Sequence, residues 1–255
     1  MTGARAPVAA AELRILGEYR GLLFVDKPAG LQTEPDARTT DTLLSRLATQ
    51  LGEPASRLHA LSRLDTGVSG IVTLGLNSGA RRLVQAWREQ GSFKRRYLGL
   101  AAGTAATRAG AWSESIGRGA GNLRSITGRN PEAARTDYAL VRSAALARAT
   151  PSVLHLLALA PLTGRTHQLR VHCAAHGLPL LGDRAYGGAS RFTRESGGVT
   201  ALDRIALHAA WVELPLSSKL RIESPTPPFL LDTWAAFGGD PSLFQEAREL
   251  AVPVV

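Results

Sequence analysis

The chain has 255 residues, 44% of them hydrophobic, enough apolar material for a sizeable core. It holds no run approaching the roughly 18–20 apolar residues of a membrane-spanning helix, no basic-then-apolar leader, and a single cysteine, Cys173. Those features argue against a membrane protein, an exported protein and a disulfide scaffold, and favour a reducing cytoplasm, while 30 Lys+Arg against 21 Asp+Glu (net charge +9) favours a polyanionic partner through counterion release.

Residues 1–18 are Ala-rich and read as a short flexible or helical N-terminal extension ahead of a single domain over 19–255. The apolar run 21–25, ended by Lys27-Pro28-Ala29-Gly30, predicts a buried strand and a turn. Leu43, Leu44, Leu47 and Leu51 recur at helical spacing, so a helix is expected over 42–51, with Thr39 to Asp41 as cap candidates and Gly52 as its stop. Residues 70–76 are β-like. Asn77 or Ser78 then caps a helix carrying Leu83, Val84 and Trp87, which Gly91 ends, and 94–100 reads as the next strand.

Residues 103–134, rich in Gly, Ala, Arg and Ser, read as a long hairpin or loop. The cluster Gly117-Arg118-Gly119-Ala120-Gly121 lacks the spacing and the strand–helix setting of a phosphate-binding loop, and Arg118, Arg124 and Arg129 are placed to touch RNA or merely to be solvated. Paired strands follow at 137–142 and 153–160. A helix over 167–176 is expected to be capped by Thr166 and closed by left-handed Gly177, with Leu169 and Cys173 facing the core. A hairpin at 211–216 and 219–223 and a helix over 241–250 complete the chain. Strands dominate with helices interspersed, so the class is α+β with a mixed, largely antiparallel sheet.

Three segments carry chemistry. Arg63-Leu64-Asp65-Thr66-Gly67-Val68-Ser69-Gly70 offers a lone carboxylate in a small-residue turn; Lys94-Arg95-Arg96-Tyr97 sets a phenol behind cations; Thr163-Gly164-Arg165-Thr166-His167-Gln168-Leu169-Arg170-Val171-His172 clusters cations and donors. Together they point to acid–base work on a phosphate-bearing polymer. Each has a duller account: an Asp in Asp-Thr-Gly as a turn former, Tyr97 as a cross-strand residue, Arg165 and Arg170 in surface ion pairs. His167, His172, Cys173 and His176 lack a second ligand cluster, so no metal site is expected.

These segments resemble the RluA-like RNA pseudouridine synthases. Residues 62–70 are similar to that family's His-Arg-Leu-Asp-x-x-Thr-Ser-Gly, with Ser62 and Val68 departing from it, and Thr163 to His172 match its later motif throughout. Leu181-Gly182-Asp183 with Tyr186-Gly187, the opening Val25 to Leu31, and Ala206 to Ala209 with Pro225 to Phe229 extend the likeness over about 21–231. The resemblance implies a bent, largely antiparallel sheet with the active cleft across it, no leading S4-type RNA-binding module, and isomerisation of uridine in ribosomal or transfer RNA. That reaction breaks N1–C1′, turns the base and joins C5 to C1′. It involves no net oxidation, so neither a cofactor nor a metal is required.

It further implies Asp65 as the catalytic carboxylate, Tyr97 as the active-site tyrosine and Arg165 as the aspartate's partner. The remaining basic and polar motif residues, Arg63, Lys94, Arg95, Arg96, His167, Gln168, Arg170 and Arg184, are expected to hold RNA, with Arg63 gripping phosphate or helping to evict the base. The protein is expected to be a monomer with RNA as partner. Two rivals remain at this level: an inactive RNA-binding or ribosome-assembly protein, motivated by Ser62 and Val68, and a base-removing glycosylase.

Overall fold

The computed structural model describes residues 12–145, 150–193 and 198–252. Strand β1 (Arg14–Tyr19) pairs antiparallel with β2 (Leu22–Lys27), so residues 14–18 belong to the main sheet rather than to a flexible or helical extension. The remainder of that expected extension, residues 1–11, lies outside the described residues. Helix α1 (Leu43–Leu51) buries Leu43, Leu44 and Leu47, each contributing about 1.5–3 kcal/mol. Its cap is Thr42 rather than a residue of 39–41: the Thr42 side chain accepts from the Ser45 N–H, and Gly52 closes the helix at φ 66°.

After β3 (His59–Ala60) and β4 (Ser69–Gly75), helix α2 (Ser78–Glu89) begins at Asn77, whose side chain accepts from Ala80 N–H. Strand β5 (Lys94–Ala102) leads into the Gly-rich stretch, which is more ordered than a loop. Strand β6 (Ala109–Trp112) joins the main sheet, and β7 (Ile116–Arg118), β8 (Arg124–Ser125) and β9 (Arg129–Glu132) form a small sheet of their own. The antiparallel pair β10 (Thr136–Ala145) and β11 (Val153–Pro161) follows, then α3 (Gln168–Ala175). Beyond the pair β12 (Arg191–Thr193) and β13 (Val199–Ala201), β14 (Leu207–Leu214) and β15 (Leu220–Glu223) form the expected hairpin. The chain closes with α4 (Pro228–Ala235), which sequence periodicity did not reveal, and α5 (Leu243–Glu249).

Ten strands make the main sheet, in the order β1-β2-β4-β14-β5-β11-β10-β6, with β3 on β4 and β15 on β14. It is antiparallel except where β14 runs parallel to β4. At that junction Gly70, at φ 110°, lets the strands close up; a Cβ there would stand 2.3 Å from the Ala209 carbonyl oxygen. A buried polar chain crosses the same junction. Ser224 donates to Asp26 Oδ1 at 2.8 Å, and His208 bridges Ser224 at 3.2 Å and Ser69 at 3.0 Å. Burial, aided by the charge of Arg248, pushes the His208 imidazole down to about 3.

Side-chain alternation divides the sheet into two faces. Tyr97, Leu157 and Leu159 pack with α1 and α3, whereas Leu98, Leu156 and Trp211 pack with α4 and α5. The candidate site described next lies on the first face, that of Tyr97. The architecture is therefore α+β, with a mostly antiparallel sheet flanked by five α-helices among the described residues.

Candidate active site

Asp65 sits in the turn between β3 and β4, and that turn is fastened from several sides. Thr33 Oγ donates to Leu64 O at 2.9 Å and accepts from Leu64 N–H at 3.2 Å. Gly30 N–H donates to Thr66 O at 2.7 Å, and Ile205 N–H donates to Gly67 O at 3.0 Å. Beneath them Lys27, fully buried, donates to Leu31 O at 2.6 Å, to Pro28 O at 3.0 Å and, more weakly, to Thr66 O at 3.5 Å. Burial lowers the Lys27 ammonium to about 8, with the charge of Asp65 opposing the shift. The carbonyl-rich turn thus surrounds a cation and presents the carboxylate at a fixed height.

The cation that meets Asp65 is Arg170, not Arg165. Arg170 Nη1 donates to Asp65 Oδ2 at 2.7 Å, while its Nε and Nη2 donate at 2.8 Å each to the two oxygens of Asp183. Burial alone would lower the Arg170 pKa, but the bonds to Asp183 and then Asp65 outweigh it and raise the value. Arg165 lies on the other side of a chain reversal. Its Nε donates to Ala133 O at 2.9 Å and its Nη1 pairs with Glu132. The reversal is His167, left-handed at φ 57° with no side-chain cap bond, so Thr166 does not cap α3. Arg165, before His167, turns to β9 and Ala133, and Arg170, after it, turns to Asp65.

His167 Nε2 stands 3.9 Å from Asp65 Oδ1, the carboxylate oxygen that Arg170 does not hold. Burial lowers the His167 pKa, with the Asp65 charge opposing, so the imidazole is neutral near pH 7. Tyr97, on β5, is buried on the face that packs with α1 and α3, and its hydroxyl makes no hydrogen bond among the described residues. Burial raises the phenol first and the charges of Arg95 and Arg88 oppose that, while Asp65 adds to it; the group therefore stays protonated.

The residues expected to hold RNA divide sharply. Arg63 and Arg184 are exposed, and among the described residues Arg63 has a 3.4 Å pair to Glu34. Lys94, Arg95 and Arg96 do not act as one cationic block, because strand alternation sends neighbours to opposite faces. Arg96 is buried on the face away from Tyr97, donating to Leu250 O at 2.8 Å with its guanidinium 5.3 Å from the Trp211 ring. Lys94 shares that face and lies 3.9 Å from Glu213. Arg95 shares the face of Tyr97 but donates to Pro161 O at 2.9 Å and Thr163 O at 2.8 Å.

Gln168 is buried and saturated. Its Oε1 accepts from Thr163 Oγ at 2.7 Å and Arg165 N–H at 3.0 Å, and its amide donates to Arg135 O at 2.9 Å and Thr136 Oγ at 3.0 Å. Gln168 therefore shapes the motif's loop, and Arg170 serves Asp65 instead of a phosphate. Neither departure from the expected motif touches the chemistry: Ser62 Oγ accepts from Thr73 N–H at 2.8 Å, and Val68 is core. His172 is also fully buried, bonded to Thr136 Oγ at 2.9 Å and Glu114 O at 3.1 Å. Among the described residues no group of three His, Cys, Asp or Glu is placed to hold a metal.

Sequence reasoning gave no role to Lys27, Asp183 or Tyr186, which the fold gathers around Asp65. The signal was present for Asp183, a lone acid followed three residues on by Tyr186, but its partner was not visible. The site thus combines a turn carboxylate held by an arginine with a buried tyrosine that feels its charge. A family model described as RNA pseudouridylate synthase matches residues 21–175. The chain belongs to the RNA pseudouridylate synthase family.

An uncharacterised RNA pseudouridine synthase of Bacillus subtilis is 33% identical over 223 residues, which cover 85% of this chain and 69% of that one. Ribosomal large subunit pseudouridine synthase D of Nitrosomonas europaea is 35% identical over 226 residues, 86% of this chain and 63% of that one. The solved structure of human RNA pseudouridylate synthase domain containing 1 superposes with a TM-score of 0.67 at 27% identity, covering 95% of this chain and 97% of the human one. As a pseudouridine synthase the protein is an isomerase of uridine in RNA, and the binding-only alternative is disfavoured.

Proposed function

We propose that the chain isomerises uridines of ribosomal RNA, with Asp65 reacting at the target sugar, Arg170 as its counter-ion and Tyr97 lying against the base. The observation that carries this reading is the Asp183–Arg170–Asp65 chain, which ends in a half-buried carboxylate with one oxygen that Arg170 does not hold. An aspartate so held can attack C1′ or remove the 2′ proton without reorienting first. The protonated Tyr97 is suited to stacking and to donating a hydrogen bond. The target base has to leave its stack at a cost of a few kcal/mol, which phosphate contacts from exposed Arg63 and Arg184 help to offset.

Ribosomal RNA is preferred over transfer RNA because a relative that matches 86% of the chain is named for the large ribosomal subunit. We read the chain as one catalytic domain, cytoplasmic and monomeric; no helix of the described residues is long and apolar enough to cross a membrane. Mapping pseudouridine in total RNA from cells with and without the gene tests the substrate. Loss of signal confined to transfer RNA overturns the ribosomal reading. With purified protein, Asp65→Asn is expected to abolish isomerisation; an Asp65→Asn enzyme of normal rate refutes the assignment, and free uracil among the products would favour base removal instead.

A further inference from the structure

The two oxygens of Asp65 face different groups. Arg170 occupies Oδ2 at 2.7 Å, and His167 Nε2 lies 3.9 Å from Oδ1. Both groups rest on one side chain, Tyr186. Its ring lies 4.8 Å under the Arg170 guanidinium and meets the His167 ring edge-on, centroids 5.7 Å apart at 81°. Its hydroxyl accepts from Arg124 N–H at 2.9 Å and lies 2.8 Å from His167 Nδ1.

Hydrogen-bond accounting then assigns the protons. The Tyr186 oxygen already accepts from Arg124, and the acceptor available to its own proton is His167 Nδ1. The opposite tautomer, with the proton on Nδ1, would leave the phenol proton to solvent, without a protein acceptor. On that assignment the proton of the neutral imidazole sits on Nε2, the nitrogen 3.9 Å from Oδ1 of Asp65. A non-glycine residue held at φ 57° stores strain that the surroundings must enforce, and such residues cluster at functional sites.

We propose that His167 is a positioning residue for Asp65: with its tautomer set by Tyr186, it presents Nε2–H to Oδ1 across 3.9 Å, longer than a hydrogen bond, and biases the carboxylate through the oxygen that Arg170 does not hold. Tyr186 acts through both groups, and its bond from Arg124 ties the small β7–β9 sheet to them. The proposal rests on Asp65 being the reacting carboxylate, but its first test does not require turnover. In the full chain labelled with nitrogen-15 histidine, the imidazole resonances of His167 are expected to report the Nε2–H tautomer. Tyr186→Phe, which keeps the ring and removes the hydroxyl, should convert this to a tautomer mixture. A dominant Nδ1–H form in the unsubstituted protein overturns the proposal, as does a tautomer indifferent to Tyr186→Phe.

The second test is single-turnover pseudouridine formation on unmodified ribosomal RNA. His167→Asn, which tolerates the left-handed backbone, and Tyr186→Phe should each slow the step by about 10- to 100-fold, the scale of a misplaced reacting group. RNA affinity should stay unchanged, so the limiting single-turnover rate moves and the half-saturating protein concentration does not. The double variant should be no slower than His167→Asn alone, because both changes cut one chain of contacts. Wild-type rates in both variants, losses that multiply, or a loss confined to affinity would each overturn it. Should the unsubstituted protein form no pseudouridine, the functional reading fails and the tautomer measurement still decides this one.

Discussion

Replacing Arg170 by methionine removes three charge-assisted bonds at once and leaves Asp183, 1% exposed, as a buried carboxylate without a counter-charge. Breaking a buried pair in this way costs about 3–5 kcal/mol. At about 2–4 °C per kcal/mol for a chain of this size, Tm should fall by roughly 6–20 °C. Adding Asp183→Asn removes the stranded charge at almost constant volume, and the doubly substituted protein should return to within about 2 kcal/mol of the parent. Activity should not follow. Asp65 Oδ2 has lost its 2.7 Å donor in both proteins, and a reacting group free to move by about 1 Å loses roughly 100-fold in rate. Scanning calorimetry and single-turnover assays on the same preparations separate the two effects. If Arg170→Met/Asp183→Asn regains turnover together with Tm, Arg170 serves only charge balance in the interior. An unchanged Tm in Arg170→Met alone would show that the buried pair is not the strong link its geometry implies.

Tyr97→Phe keeps the buried ring and deletes the unpartnered hydroxyl, so RNA binding should persist while isomerisation slows; an unaltered rate would restrict Tyr97 to stacking. Arg184→Gln and Arg63→Gln should each flatten the log–log salt dependence of RNA affinity by about 0.7, whereas Arg96→Gln should leave the slope unchanged because that guanidinium is spent on Leu250 O and Trp211; filter binding over a salt series checks all three. Acid should destabilise the fold early. His208 titrates near 3 in the native state against an ordinary 6.5, so between those values only the unfolded chain gains the proton, and this contribution to stability, complete above 6.5, is lost as pH falls through that window by up to about 1.4 kcal/mol per pH unit. The raised Asp26 works with the opposite sign, but only from 3.8 up to its native value. Denaturant melts between pH 7 and 5 should therefore show a shallower slope in His208→Gln; an identical slope would remove His208 from the account.

Much of the local structure follows from the amino-acid order by itself. Apolar spacing and terminal residues set α1 and α2, down to Gly52 and Asn77, because helix ends are satisfied by groups within a few residues. The turn carrying Asp65 and its family likeness were legible for the same reason. The division of Lys94 and Arg96 from Arg95 and Tyr97 was also implicit, since a strand alternates faces; it is missed only when the cations are counted as a run. Tertiary structure alone decided which of two arginines in one motif reaches Asp65. That contact spans 105 residues and depends on a left-handed reversal at His167, a residue type that carries no sequence signature for it. Asp183 and Tyr186 entered the site on the same terms. Ion pairs and hydrogen bonds between distant segments depend on side-chain direction, and direction exists only once the sheet has brought those segments together.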